Sequence, residues 1–322
     1  MTDFFDPHER HTDEPDEEVG ASLPGIPLAV EAIEAEPAMG REGSLYADAW
    51  RQLRRRPMFI ISGALIVLLV VMALFPGLFT RADPESCNLA DSLLRPSSEH
   101  WFGTDLQGCD YFARTVYGAR VSISIGILVT VSSTLIAIVF GSVAGYYGGI
   151  VDAIIARITD VWFAIPTILG GIVILRSLFS SRGLFQVSLV LIVLGWPTML
   201  RLVRSAVLSV REMDYVDSAR ALGVGDLRII RRHILPNSLA PVIVYATITV
   251  GVIISAEAAL SFLGVGLQLP SISWGLMISG AQNRILTAPH LLLFPGIFLS
   301  TTVFSFILMG DALRDALDPR LR

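Results

Sequence analysis

The sequence predicts an all-α membrane protein with about six transmembrane helices, and three observations carry that prediction. Six apolar runs each reach the ~20 residues a helix needs to cross ~30 Å of hydrocarbon. Charged residues make up 16% of the 322-residue chain, apolar ones 53%, and mean hydropathy is +0.63; soluble domains carry about a quarter charged residues. Arginine is also unevenly shared between alternate connections, as expected of loops sorted across a bilayer.

Taken in order, residues 1–43 read as a disordered acidic cytoplasmic tail. They hold Asp3, Asp6, Glu9, Asp13, Glu14, Asp16, Glu17, Glu18, Glu31, Glu34 and Glu36, are rich in proline and lack hydrophobic periodicity. Residues 44–322 read as one transmembrane domain. It opens with a short surface helix from Ser44 to Arg56, on which Tyr46, Trp50 and Leu53 share one face opposite several arginines. That pattern suits the headgroup layer. The expected spans are roughly 58–79, 120–146, 158–178, 184–203, 238–263 and 290–310. The first starts too late and is too long for a signal peptide. Pro166 and Pro197 are expected to kink their spans.

With the N-terminus inside, fifteen arginines from Arg51 to Arg322 fall in inner segments and seven from Arg81 to Arg284 in outer ones. Both termini of this multi-pass chain are therefore expected in the cytoplasm. The connection 80–119 becomes an extracytoplasmic loop and 204–237 a cytoplasmic one. Both cysteines, Cys87 and Cys109, fall in the outer loop. Neither belongs to a CxxC or Cys/His cluster, so a metal site is not expected. An oxidising exterior permits a disulfide between them; two unpaired thiols are the alternative.

All 24 basic residues are arginine; lysine is absent. A Walker A loop and a Schiff-base enzyme both need a lysine, so the chain is not itself a P-loop ATPase. No HExxH or GxSxG stands in a span, and the five histidines (His8, His11, His100, His233, His290) are scattered. An intramembrane enzyme is disfavoured on those grounds. A self-contained secondary transporter or channel would call for internal repeats with broken helices, and no repeat is evident.

Residues 213–237, MDYVDSARALGVGDLRIIRRHILPN, predict two short helices. Asp214 caps the first, whose Val216, Ala219 and Leu222 share a face. Gly223 stops it in the left-handed region; Asp226 caps the second and Pro236 ends it. Asp217-Ser218-Ala219, Gly223 and His233-Ile234-Leu235-Pro236 follow the spacing of an acidic-small-Ala triplet, a glycine and a Leu-Pro ending. This resembles the EAA loop of ABC importer permeases, with Asp-Ser replacing the family's Glu-Ala and His233 replacing its first Ile. Residues 103–120, GTDLQGCDYFARTVYGAR, are similar to the pattern GTDxxGRDxxSRxxxGAR of the dipeptide/oligopeptide permease family, C-type subunit. So are LSFLGVG at 260–266, Trp274-Gly275, Pro295-Gly296 and the ending GDALRDALDPRLR. Cys109 stands where that family has Arg.

The resemblance implies a type I ABC importer permease bundle moving di- or oligopeptides into the cytoplasm, with nickel or another small solute as the alternative cargo. It implies as partners a homologous second permease, two ATPase domains carrying ATP and Mg, an extracytoplasmic peptide-binding protein and membrane lipid, but no nucleic acid. This chain itself would bind no cofactor and catalyse nothing. It also implies that Asp217, Ser218, Ala219, Arg220, Ala221, Leu222, Gly223, Leu235 and Pro236 couple to an ATPase. Arg220, Arg228, Arg231 and Arg232 either meet acidic ATPase surface or reflect the ordinary inner-face bias.

Ionisable residues within spans are expensive and functional by default. Glu257 is expected inside the bundle, as a pathway group or as a brace to a neighbouring helix. Asp160 is treated alike, with Arg157 one turn earlier as its expected partner. Gly141 and Gly145 form a GxxxG face, which fits packing within the bundle or against a partner permease equally well.

Overall fold

The computed structural model describes residues 53–317, and among them it holds helices, turns and two isolated bridge pairs. The acidic tail, Ser44, Tyr46 and Trp50 lie outside the described residues, as do Arg320 and Arg322. Helix α1 (Pro57–Leu74) opens on a proline, whose missing N–H costs nothing in a first turn, and stops before Pro76. Helix α2 (Tyr111–Tyr147) starts nine residues before the expected span. Hydropathy marks where a helix is apolar, whereas the start here is set by Asp110, whose carboxylate accepts from the Ala113 N–H at 2.7 Å.

The third expected span is two helices, α3 (Gly149–Phe163) and α4 (Thr167–Leu178), bent by 82°. Pro166 lacks an N–H and disfavours helical torsions at Ile165, so the predicted kink becomes a break. At about 22 and 18 Å neither piece alone crosses ~30 Å of hydrocarbon. Helix α5 (Leu184–Arg211) runs on through Pro197. It takes in residues 204–211, expected to be loop.

Helix α6 (Asp214–Ala221) is the first predicted short helix. The second is not separate. Asp226–Ile229, a π turn at Ile230–Ile234 and Leu235–Phe262 run together as one 37-residue helix, α7. Pro236 does not end it. In the π turn the Leu235 N–H reaches the Ile230 carbonyl, five residues back. That wider turn immediately precedes the proline ring, which would otherwise crowd the ladder. Helices α8 (Trp274–Ala281) and α9 (His290–Leu317) complete the chain. Five helices are long and apolar enough to span a membrane, six with the bent pair counted as one.

Helices α2, α5 and α7 form the centre. Helices α1 and α9 pack on one flank, and α3 and α4 on the other. The buried side chains make a cluster at each end and two between. At one end Leu69, Met72, Tyr111, Ile123, Trp274 and Leu291 join α1, α2, α8 and α9. At the other, Val203, Val207, Val216, Ala219, Ile229 and Ile234 join α5, α6 and α7. The first is the disulfide end of the bundle and the second the α6 end. Outward-facing Ile61, Val67, Leu135, Val139 and Phe304 are exposed, as suits helices solvated by lipid.

Candidate functional sites: the α6 loop and the buried polar centre

Helix α6 is eight residues long and amphipathic. Val216 is fully buried and Ala219 nearly so, while Asp217 and Arg220 face outward and pair at 2.7 Å. The expected cap is displaced by one residue. Met213 occupies the cap position and gives no side-chain bond, and Asp214 is the first helical residue. The acids Asp214 and Asp217 sit in the first turn, where their negative charge complements the positive end of the helix dipole. Asp226 likewise opens its helix without capping it, behind Gly225.

The far end of α6 closes as a Schellman motif. The Val224 N–H donates to the Ala219 carbonyl at 3.1 Å and the Gly223 N–H to the Arg220 carbonyl at 2.9 Å. Gly223 has φ +74°, as the sequence required. Leu222, at 83% exposure on this loop, and Leu227, at 67% in the first turn of α7, stand outward, and Met213 and Tyr215 are half-exposed.

The loop is bolted to the bundle. Tyr146 donates to Asp226 at 2.7 Å, and the Arg220 guanidinium lies 5.4 Å from the Tyr146 ring centre. Arg211 donates to the Gly145 and Tyr146 carbonyls at the end of α2, both at 3.2 Å. Arg204 makes a two-pronged pair with Asp152 across α5 and α3, with its Nη2 at 2.5 Å. Asp217 to Gly223 therefore sit on α6 and its stop, whereas Leu235 and Pro236 sit within α7. Val216, Ala219, Ile230 and Ile234 share one apolar cluster, which brings the two segments together.

Gly141 and Gly145 pack inside this chain. A Cβ on Gly141 would lie 2.9 Å from the Val203 Cβ, and one on Gly145 would lie 2.8 Å from the Val207 Cγ1. The GxxxG face is thus the seam along which α2 meets α5. Asp160 is half-exposed and pairs at 2.7 Å with Arg201, which also stacks on Phe163 at 3.9 Å. The expected partner Arg157 is farther, at 3.8 Å.

Glu257 is fully buried. Its Oε1 accepts from the Ser261 hydroxyl at 2.7 Å and the Ser273 hydroxyl at 3.1 Å. Those hydroxyls accept in turn, Ser261 from the Leu267 N–H and Ser273 from the Leu276 N–H, each at 3.1 Å. Oε1 is engaged as a brace to the start of α8, while the buried Oε2 has no hydrogen-bond partner among the described residues. Ser261 lies one turn from Glu257 on the same helix, a spacing the sequence displays; Ser273 was missed because it lies sixteen residues away, across a turn with no periodicity to follow.

At the disulfide end Cys87 and Cys109 are bonded. The bond faces a tight loop in which Asp105 accepts from the Gln107 and Cys109 N–H groups at 2.8 and 3.0 Å and pairs with Arg114. His100 meets the capping Asp110 at 2.9 Å.

Comparison with known proteins agrees with this architecture. Residues 137–322 match the family described as binding-protein-dependent transport system inner membrane component, and residues 44–96 match the N-terminal TM domain of oligopeptide transport permease C. The oligopeptide transport system permease protein OppC of Bacillus subtilis is 40% identical, over 92% of this chain and 96% of that one. The dipeptide permease DppC of Alkalihalophilus pseudofirmus is 41% identical, over 87% and 91%. The glutathione permease GsiD of Pectobacterium atrosepticum is 37% identical, over 86% and 92%. Among solved structures, the inward-facing MetNI methionine ABC transporter superposes with a TM-score of 0.53 at 21% identity, covering 64% of this chain and 96% of that one, which shows a shared fold. With its multi-pass helical bundle and these matches, the chain belongs to the binding-protein-dependent transport system inner membrane component family and is a permease subunit of an ABC importer.

Proposed function

We propose that this permease moves short peptides into the cytoplasm. It would form the pathway with a second, homologous permease, take its cargo from an extracytoplasmic peptide-binding protein, and be driven by two ATPase domains that hold ATP and Mg. The α6 end would face the cytoplasm and the disulfide end the exterior, as the arginine bias favours. Residues 1–43 would be a cytoplasmic extension of the domain 44–322.

The observation that carries this reading is the α6 loop. It is short, closed at a fixed glycine stop and wedged by Val216 into the bundle, yet it displays Leu222 and Leu227 outward. Exposed apolar side chains on a rigid polar loop outside the spans fit a protein partner, and an ATPase groove is the partner that an importer requires. The relatives named for oligopeptides, dipeptides and glutathione favour small peptides as cargo.

The test is reconstitution of the permease pair with its ATPases and binding protein in proteoliposomes. Labelled di- to pentapeptides and nickel are offered in parallel. ATP-dependent uptake of peptide, abolished by omitting the binding protein, is expected. Uptake of nickel alone would replace the cargo; uptake without any ATPase would overturn the importer assignment.

A further inference from the structure

We propose that Glu257 is a positioning residue that ties α8, at the disulfide end, to the motion of α7; this rests on the importer reading above. The starting point is the continuity of α7. It begins at Asp226, beside the Gly223 stop of α6, and runs unbroken for 37 residues to Phe262, a length of about 55 Å. One helix therefore reaches from the proposed ATPase contact to the opposite end of the bundle. Glu257 sits five residues before its far end.

Past Phe262 the chain turns through Gly264 and Gly266 and returns as α8. Backbone bonds from Val265 and Gly266 to the Leu260 carbonyl and from Gln268 to the Arg182 carbonyl shape this return, and one carboxylate oxygen holds it at two further points. Through Ser261, Glu257 fixes the Leu267 N–H in the turn. Through Ser273, it fixes the Leu276 N–H in the first turn of α8. Close packing reinforces the joint, because a Cβ on Gly275 would lie 2.5 Å from the Ala258 Cα. A shift or tilt of α7 is thus transmitted to α8 and not absorbed by the turn.

What α8 controls is on the outer side. Leu276, Met277 and Gly280 line a cavity of about 330 Å³ together with Asp105, Tyr111 and Arg114. Its other wall is the disulfide-closed loop and the start of α2. Trp274 anchors the start of α8 to α2, its backbone N–H donating to the Ser122 hydroxyl at 3.2 Å and its indole N–H to the Thr115 carbonyl at 2.9 Å, so a pull through Glu257 tilts α8 about that anchor and changes the opening of the cavity. No other charged side chain among the described residues is fully buried, and a charge so placed is expensive. A joint that must stay closed while the helix moves gives it a task.

The test uses the assembled complex with a reporter cysteine at Gly280, which is exposed with open space around its Cα; the native cysteines are disulfide-bonded. Maleimide labelling of Gly280→Cys is timed with and without trapped ATP. With Glu257 intact, the two rates are expected to differ. Glu257→Gln keeps an acceptor at Oε1 and should keep the difference. Glu257→Ala should collapse the rate ratio to unity and lower uptake, with the subunits still copurifying. If that variant fails to assemble, Ser273→Ala, which removes one of the two donors, should shrink the ratio. A ratio unchanged in the Ala variants, or absent with Glu257 intact, overturns the proposal. Loss of peptide uptake by the parent protein with the labelling difference preserved would instead count against peptide as cargo and leave the joint standing.

Discussion

Replacing Gly223 separates backbone conformation from side-chain size at the α6 stop. The residue has φ +74°, and a Cβ built there meets nothing within 4 Å. Any penalty is therefore conformational. A left-handed residue with a Cβ costs about 1–2 kcal/mol, Asn is tolerated best of the non-glycine residues, and β-branched residues worst. Gly223→Ala should cost about 1 kcal/mol and Gly223→Val about 2 or more. At 1.4 kcal/mol per decade, the second figure raises the population of an opened stop by about 30-fold. Opening breaks the Val224–Ala219 and Gly223–Arg220 bonds and frees α6 to tilt on Val216. In proteoliposomes containing the complete importer, peptide uptake per ATP hydrolysed should fall in the order Gly, Asn, Ala, Val. Peptide affinity of the isolated binding protein should be untouched. Gly223→Leu serves as the control for size, since it is large but not β-branched and should resemble Ala. Wild-type coupling in Gly223→Val, or loss that tracks side-chain volume, would refute the reasoning.

Thiol labelling of denatured, unreduced protein should find no free thiols, and Cys87→Ser should destabilise the loop before α2 by about 3 kcal/mol through the lost 22-residue closure, read as faster limited proteolysis there. Gly141→Ala places a methyl group 2.9 Å from the Val203 Cβ; a loss of about 1–3 kcal/mol is expected in detergent melts, and Val203→Ala in the same chain should restore part of it. Asp152→Asn removes the two-pronged partner of Arg204, and because the pair is partly solvated the expected cost is about 1–2 kcal/mol, measured against Arg204→Gln and the double variant. Full additivity of those two changes would count against a direct pair.

The membrane class, five of the six expected spans and the first short helix of the α6 loop were legible because each rests on a local signal. Length and apolarity mark a span, and a glycine at a fixed spacing marks a left-handed stop, so Gly223 could be assigned its torsion from the chain alone. Helix boundaries were less legible, since apolarity and helicity coincide only inside hydrocarbon. The first turns of α2 and the last turns of α5 are helical but polar, and only the Asp110 cap announces the former. Partners across space were not legible at all. Arg157 was the natural mate for Asp160 because i,i+3 pairs can be seen in sequence; Arg201, forty-one residues away, is nearer.

Pro236 shows why a sound local rule gave the wrong boundary. A proline ends a helix because its ring meets the carbonyl four residues back and its nitrogen cannot donate. Both objections assume a regular α ladder. The π turn at Ile230–Ile234 changes the ladder just upstream, so the chain passes the proline still helical. Nothing in IRRHILPN distinguishes that outcome from a stop; it is set by packing. Ile229, Ile230 and Ile234 before the proline and Leu239 and Val242 after it belong to one apolar cluster with residues of α5 and α6, and a continuous helix keeps both sets in it. Two short helices would have placed a flexible joint between the α6 loop and the spans. One helix places Gly225, at the end of the turn that follows α6, and Glu257 on the same rod, about 48 Å apart over 32 residues. A push at one end can then reach the other without passing through a hinge.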